Sequence, residues 1–67
     1  MIDLIGTNAG LVWHALNESK KPLSVKELQK ASGIRTQNEI YMALGWLAKE
    51  DKVAFSGTER DFTVTLK

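Results

Sequence analysis

Residues 24–48, SVKELQKASGIRTQNEIYMALGWLA, decide how this chain is read. Ser24 stands three residues before Glu27, and Thr36 three residues before Glu39. In such a capping box the hydroxyl accepts a hydrogen bond from a free N–H in the first helical turn, and the carboxylate accepts one from the cap's own N–H. Between the two boxes, Gly33 suits the left-handed residue that closes a helix, and Ile34 is the apolar residue that a tight turn tucks inward. The stretch therefore predicts two helices, the second running from near Gln37 to about Glu50.

At about 100° per residue the faces of these helices separate. Val25, Leu28 and Ala31 or Ser32 form the inner side of the first, with Lys26 and Lys30 on a solvent side. In the second, Ile40, Ala43, Leu44 and Leu47 point inward; Asn38, Tyr41, Met42, Gly45 and Lys49 point outward, with Trp46 on the flank. Two capped helices with inner faces and a tight turn make a helix-turn-helix, and the rest of the chain supplies cover for its inner side.

Upstream, Ile5, Ala9, Val12, Trp13 and Leu16 fall on one helical stripe. Thr7 or Asn8 is the natural cap, so this helix is expected over residues 8–18, with residues 1–6 an extended arm or a frayed turn. Were it to run back to Ile2, then Leu4, Leu11 and Ala15 would make a second apolar stripe. Pro22 ends the polar turn that follows, and Leu23 is expected as a buried anchor in a short edge strand.

Downstream of Lys52 the period changes from 3.6 to 2. Val53 and Phe55, then Phe62, Val64 and Leu66, alternate with small or polar residues on either side of Gly57-Thr58-Glu59-Arg60-Asp61, which predicts a hairpin with one apolar face. Such a hairpin is too small to stand alone in water and must pack on the helices. The fold class is α+β, with all 67 residues in one domain.

That length is close to the lower limit for a self-sufficient core, and the chain has no cysteine to staple it. A homodimer is the expected remedy. The lack of cysteine, of a membrane-length apolar run and of a leader-like N-terminus predicts a soluble cytoplasmic protein. The net charge of +1 is unevenly spread: −2 over residues 1–19, +4 over residues 20–38 and −1 over the remainder. Positive charge thus gathers on the first half of the helix-turn-helix, as expected near phosphates.

Catalysis finds little support. His14 has no second histidine or cysteine at ligand spacing, no glycine-rich phosphate loop is present, and no nucleophile has a recognisable base. The expectation is a non-enzyme with no metal, no cofactor and no small-molecule substrate. Trp13 belongs to the core stripe, whereas Trp46 suits either packing on the chain's own elements or a subunit contact.

Three helices followed by a hairpin is the order of the winged-helix fold. LSVKELQKASGI (residues 23–34) and EIYMALGWLAKEDKVAF (residues 39–55) carry the resemblance, and NAGLVWHALN with ALGWLAKEDKV resembles a group of small stand-alone bacterial winged helix-turn-helix domains of unestablished function. The resemblance implies that the third helix lies in a DNA major groove while the wing touches backbone or minor groove. Base contacts then fall to Arg35, Thr36, Gln37, Asn38 and Tyr41, and phosphate contacts to Lys20, Lys21, Lys26, Lys30 and Arg60. The implied function is that of a small transcriptional regulator binding double-stranded DNA as a dimer.

Two features depart from this pattern. Glu59 and Asp61 flank Arg60 at the wing tip, where basic residues are usual. The outer side of the third helix also becomes apolar toward its end, which suits a protein interface built from Leu4, Leu11, Met42, Gly45 and Trp46. The alternative reading is a protein-interaction or dimerisation domain that does not bind DNA.

Overall fold

The computed structural model describes the chain from Ile2 to Thr58 and from Arg60 to Lys67, without the side chains of Ile2 and Asp3. Helices α1 (Ile2–Ser19), α2 (Val25–Ser32) and α3 (Gln37–Lys49) precede antiparallel strands β1 (Val53–Gly57) and β2 (Phe62–Leu66). Val53 pairs with Leu66, Phe55 with Val64 and Gly57 with Phe62. On the other side of β2, the Leu23 N–H donates to the Val64 carbonyl at 3.1 Å and the Val64 N–H to the Leu23 carbonyl at 2.8 Å. Leu23 is thus the anchor its position suggests, and it makes β2 the middle of a small sheet.

Both helices of the central motif begin at the predicted caps. The Glu27 N–H donates to Ser24 Oγ at 3.2 Å and the Ser24 N–H donates to Glu27 Oε1 at 2.9 Å, a complete capping box. At Thr36 only half of the box forms: the Glu39 N–H donates to Thr36 Oγ1 at 3.2 Å, and among the described residues Glu39 returns no bond. Gly33 closes α2 at φ 76°, a left-handed conformation that a β-carbon disfavours.

The first helix departs from expectation. It starts at Ile2, so Thr7 and Asn8 are interior helical residues and residues 2–6 are helical where an arm or a frayed turn was expected. Tertiary packing overrides the weak local propensity of Gly6, Thr7 and Asn8: α1 lies along α3, and Asn8 and Ala9 are buried. Ala15 belongs to the core rather than to an outer stripe, leaving Leu4 and Leu11 exposed. Trp13 is half-buried against the core. In α2, Ala31 is exposed; the inner position goes to Ser32, whose hydroxyl donates to the Leu28 carbonyl at 2.6 Å.

Val12, Leu28, Ile40 and Val64, one from each of α1, α2, α3 and β2, are the largest fully buried side chains and lock the elements together. The hairpin's apolar face covers this core with Val53 and Val64, but Phe55 emerges beyond its edge, 48% exposed. Alternation along a strand fixes which face a residue takes, not whether anything lies opposite it.

The complete box at Ser24 carries a pH signature. The Ser24 N–H is the main cause holding the Glu27 carboxyl below its ordinary value; the Ser24 hydroxyl and the charge of Lys21 act the same way, against a small desolvation. A lowered folded-state value stabilises the fold above the ordinary value of 4.5 and is lost as pH falls through the folded one. Glu27→Gln is expected to flatten the decline in melting temperature below about pH 4.5 while lowering stability at pH 7 slightly, as thermal circular dichroism across pH checks.

Candidate nucleic-acid interface

The N-terminal turn of α3 is presented by two backbone devices. The Gly33 N–H donates to the Gln29 carbonyl at 3.1 Å, closing α2, and the Ser32 hydroxyl accepts from the Ile34 N–H at 3.3 Å. Gln29 adds a brace: its Nε2 donates to the Arg35 carbonyl at 2.7 Å, tying α2 to the residue just before the Thr36 cap. Sequence reasoning passed over Gln29, which sits on neither the core stripe nor the lysine face. Its role comes from the turn folding back over it.

Arg35, Thr36, Gln37 and Asn38 are all exposed, and Tyr41 is 49% exposed. Of these, Gln37 and Tyr41 line one wall of a cleft of about 330 Å³ whose other walls are Ser24, Val25 and Lys26 of the α2 N-terminus and Arg60, Asp61 and Phe62 of the wing. Lys26 and Arg60, distant in sequence, thus flank the polar end of α3 together. Asp61 is the acidic group of this cleft; Glu59 lies outside the described residues.

Lys20 and Lys21 lie elsewhere. They line a separate groove with Leu16, Asn17, Pro22, Thr65 and Leu66. Since β2 separates Phe62 from Leu66, at about 3.3 Å per residue the two sites are roughly 13 Å apart along that strand. Lys30 is exposed on α2 and lines neither.

The apolar flank of α3 divides in the same way. Tyr41 faces the wing cleft, whereas Trp46, 37% exposed, lines a groove of about 240 Å³ with Gly6, Ala9, Gly10, Trp13 and His14 of α1 and Leu47, Glu50 and Lys52. Leu4 and Leu11 project from the opposite side of α1 to Gly6 and Trp13, as helical spacing requires. The structure therefore does not gather Leu4 and Leu11 with Trp46. Met42 and Gly45 are exposed on the crest between the two flanks.

The wing tip is fixed by its own turn: the Thr58 N–H donates to the Asp61 carbonyl at 3.2 Å, and the Asp61 N–H donates to Thr58 Oγ1 at 3.1 Å. Gly57 holds φ at 115°, and a β-carbon there would run into the Asp61 carbonyl oxygen and stand 3.0 Å from Phe62 Cα. Gly57→Ala is expected to cost on the order of 2 kcal/mol and to displace the tip. Thermal melting and the amide shifts of Thr58, Arg60 and Asp61 check this.

Among the described residues no cluster of His, Asp or Glu is placed to hold a metal ion, and no helix is long and apolar enough to cross a membrane. Residues 1–66 match a protein family described as winged helix-turn-helix domain (DUF2582). The chain belongs to this family. It is 34% identical to an uncharacterized protein of Methanocaldococcus jannaschii over 64 residues, covering 94% of this chain and 90% of that one. The solution NMR structure of a protein from Bacteroides thetaiotaomicron superposes with a TM-score of 0.82 at 34% identity, spanning 96% of this chain and 76% of the other. The winged-helix fold expected from the order of elements is the fold found.

Proposed function

We propose that this winged-helix domain binds double-stranded DNA, as a small cytoplasmic transcriptional regulator, with the N-terminal half of α3 in the major groove. The observation that carries the reading is the cleft in which Gln37 and Tyr41 of α3 lie between Lys26 and Arg60. Polar groups able to bond base edges are thereby flanked on two sides by cations suited to phosphates. Arg35 and Asn38, exposed beside Gln37, supply a guanine-reading and an adenine-reading side chain. The brace from Gln29 to the Arg35 carbonyl orders this end before any partner arrives, which lowers the entropy cost of binding. No cofactor or small molecule enters this reading, and catalysis has no part in it.

A titration of mixed-sequence duplex DNA at low salt, followed by fluorescence anisotropy, tests the proposal. Binding is expected to weaken linearly in log K against log salt, because phosphate neutralisation releases counterions. Absence of binding, or binding indifferent to salt, contradicts it.

The alternative, a protein-interaction domain without DNA binding, draws on the half-exposed Trp46 beside Gly6, Gly10 and Trp13. The two readings use opposite flanks of α3. Residue-resolved titrations therefore separate them.

A further inference from the structure

Among the described residues nothing pairs with the outer edge of β1, and its backbone pattern is self-complementary. In the β1–β2 ladder the Lys67 N–H donates to the Lys52 carbonyl at 3.1 Å and the Thr58 N–H to the Asp61 carbonyl at 3.2 Å. Because hydrogen-bonded and non-hydrogen-bonded pairs alternate in an antiparallel ladder, Ala54 and Ser56 are bonded to β2 while Val53, Phe55 and Gly57 are not. Their N–H and C=O groups point away from β2. The opposite residue confirms this, since Val64 uses both of its backbone groups on Leu23, on the far side of β2.

Among the described elements β1 packs only against β2 and α3. Edge strands in soluble proteins are usually guarded by a charge, a proline or a bulge, yet the strand VAFSG contains neither a charged residue nor a proline. It also exposes Phe55, which meets Phe62 edge to face at 5.7 Å.

We propose that β1 pairs antiparallel with β1 of a second copy of this chain, with Phe55 at the two-fold axis. In this register the Phe55 N–H and C=O exchange bonds with those of Phe55 in the second copy. Val53 then opposes Gly57, and Ala54 opposes Ser56. No like charges meet, so the pairing avoids the repulsion that penalises self-association of charged strands. Phe55 and Phe62 of both copies form one apolar cluster over the joint. Leu23 blocks the equivalent pairing at the other side of β2, which leaves β1 as the edge available for strand addition. The inference stands independently of DNA binding.

Five residues a side bury less than the roughly 1,200 Å² of a stable interface, so self-association is weak, with a dissociation constant on the order of 0.1–1 mM. Sedimentation velocity of the full chain, from tens of micromolar to about 1 mM, is expected to show a monomer–dimer equilibrium across that range. In NMR spectra the Phe55 amide should gain exchange protection with concentration, and an intermolecular contact should join Ala54 Hα to Ser56 Hα. Phe55→Lys, which sets two ammonium groups against each other at an exposed site, should weaken the dimer at least tenfold while its spectrum remains that of the folded domain. If Phe55→Lys unfolds, the wild-type Ala54–Ser56 contact decides alone. A chain monomeric throughout the range, protection appearing at Trp46 and not at Phe55, or an undiminished dimer of folded Phe55→Lys overturns the proposal.

Discussion

Ile40→Ala is expected to remove most of the stability of the domain. Ile40 is 0% exposed and lies on the inner side of α3, in one core with Val12, Leu28 and Val64. Truncating a buried isoleucine to alanine costs about 2–5 kcal/mol, the transfer of the lost methyl and methylene groups plus the cavity left behind. At roughly 0.05–0.15 kcal/mol per residue a chain of 67 residues has only about 3–10 kcal/mol to lose. At about 4–8 °C per kcal/mol, the melting temperature should fall by on the order of 15 °C, or the protein should be unfolded at ambient temperature. Ile40→Val, which removes a single methylene, should cost only about 1 kcal/mol. Circular dichroism melts of both variants check the pair; a loss under 1 kcal/mol for Ile40→Ala contradicts the packing described.

The second large effect concerns DNA. Reversing both Lys26 and Arg60 to Glu replaces the two cations of the α3–wing cleft with anions that would face phosphates. Each lost phosphate contact reduces the slope of log K against log salt by about 0.9, so the double variant should lose close to two units of slope. Affinity near 50 mM salt should drop on the order of 100-fold, uniformly across DNA sequences. The paired control is Lys20→Glu with Lys21→Glu, an equal charge change in the groove at the other end of β2. It should cost clearly less. Equal losses from the two double variants would mean that net charge alone governs binding and that the cleft has no special part.

The faces of α3 were legible in the sequence because Ile40, Ala43, Leu44 and Leu47 recur at a helical period and all four are buried. Ser24, Thr36 and Gly33 were legible because capping is a local transaction between residues a few positions apart. The start of α1 was not, since Thr7 and Asn8 look like a cap while the helix that contains them packs along α3, a partner distant in the chain. Phe55 illustrates a related limit: its alternation with Ala54 and Ser56 is clear, yet it is 48% exposed, because alternation fixes the face and not what lies opposite it.

The site divides similarly. Arg35, Thr36, Gln37 and Asn38 follow from the position of the cap, and all are exposed. The pairing of Lys26 with Arg60 needs the hairpin to fold back toward α2, which charge counting along the chain does not reveal. Lys20 and Lys21 precede α2 in sequence yet line a separate groove toward the other end of β2, a placement that nearness in sequence does not reveal. The separation of Tyr41 from Trp46 is by contrast implicit in helical geometry: five residues at about 100° each leave them roughly 140° apart.

The central claim is that the wing-side flank of α3 is the surface that meets DNA. Its most direct test is a titration of the labelled domain with a short duplex at low salt, followed by amide shifts. The predicted result is a connected set of changes at Lys26, Arg35, Gln37, Asn38, Tyr41 and Arg60 that fades as salt is raised. Shifts confined to Gly6, Gly10, Trp13 and Trp46, or no shifts at all, would contradict it.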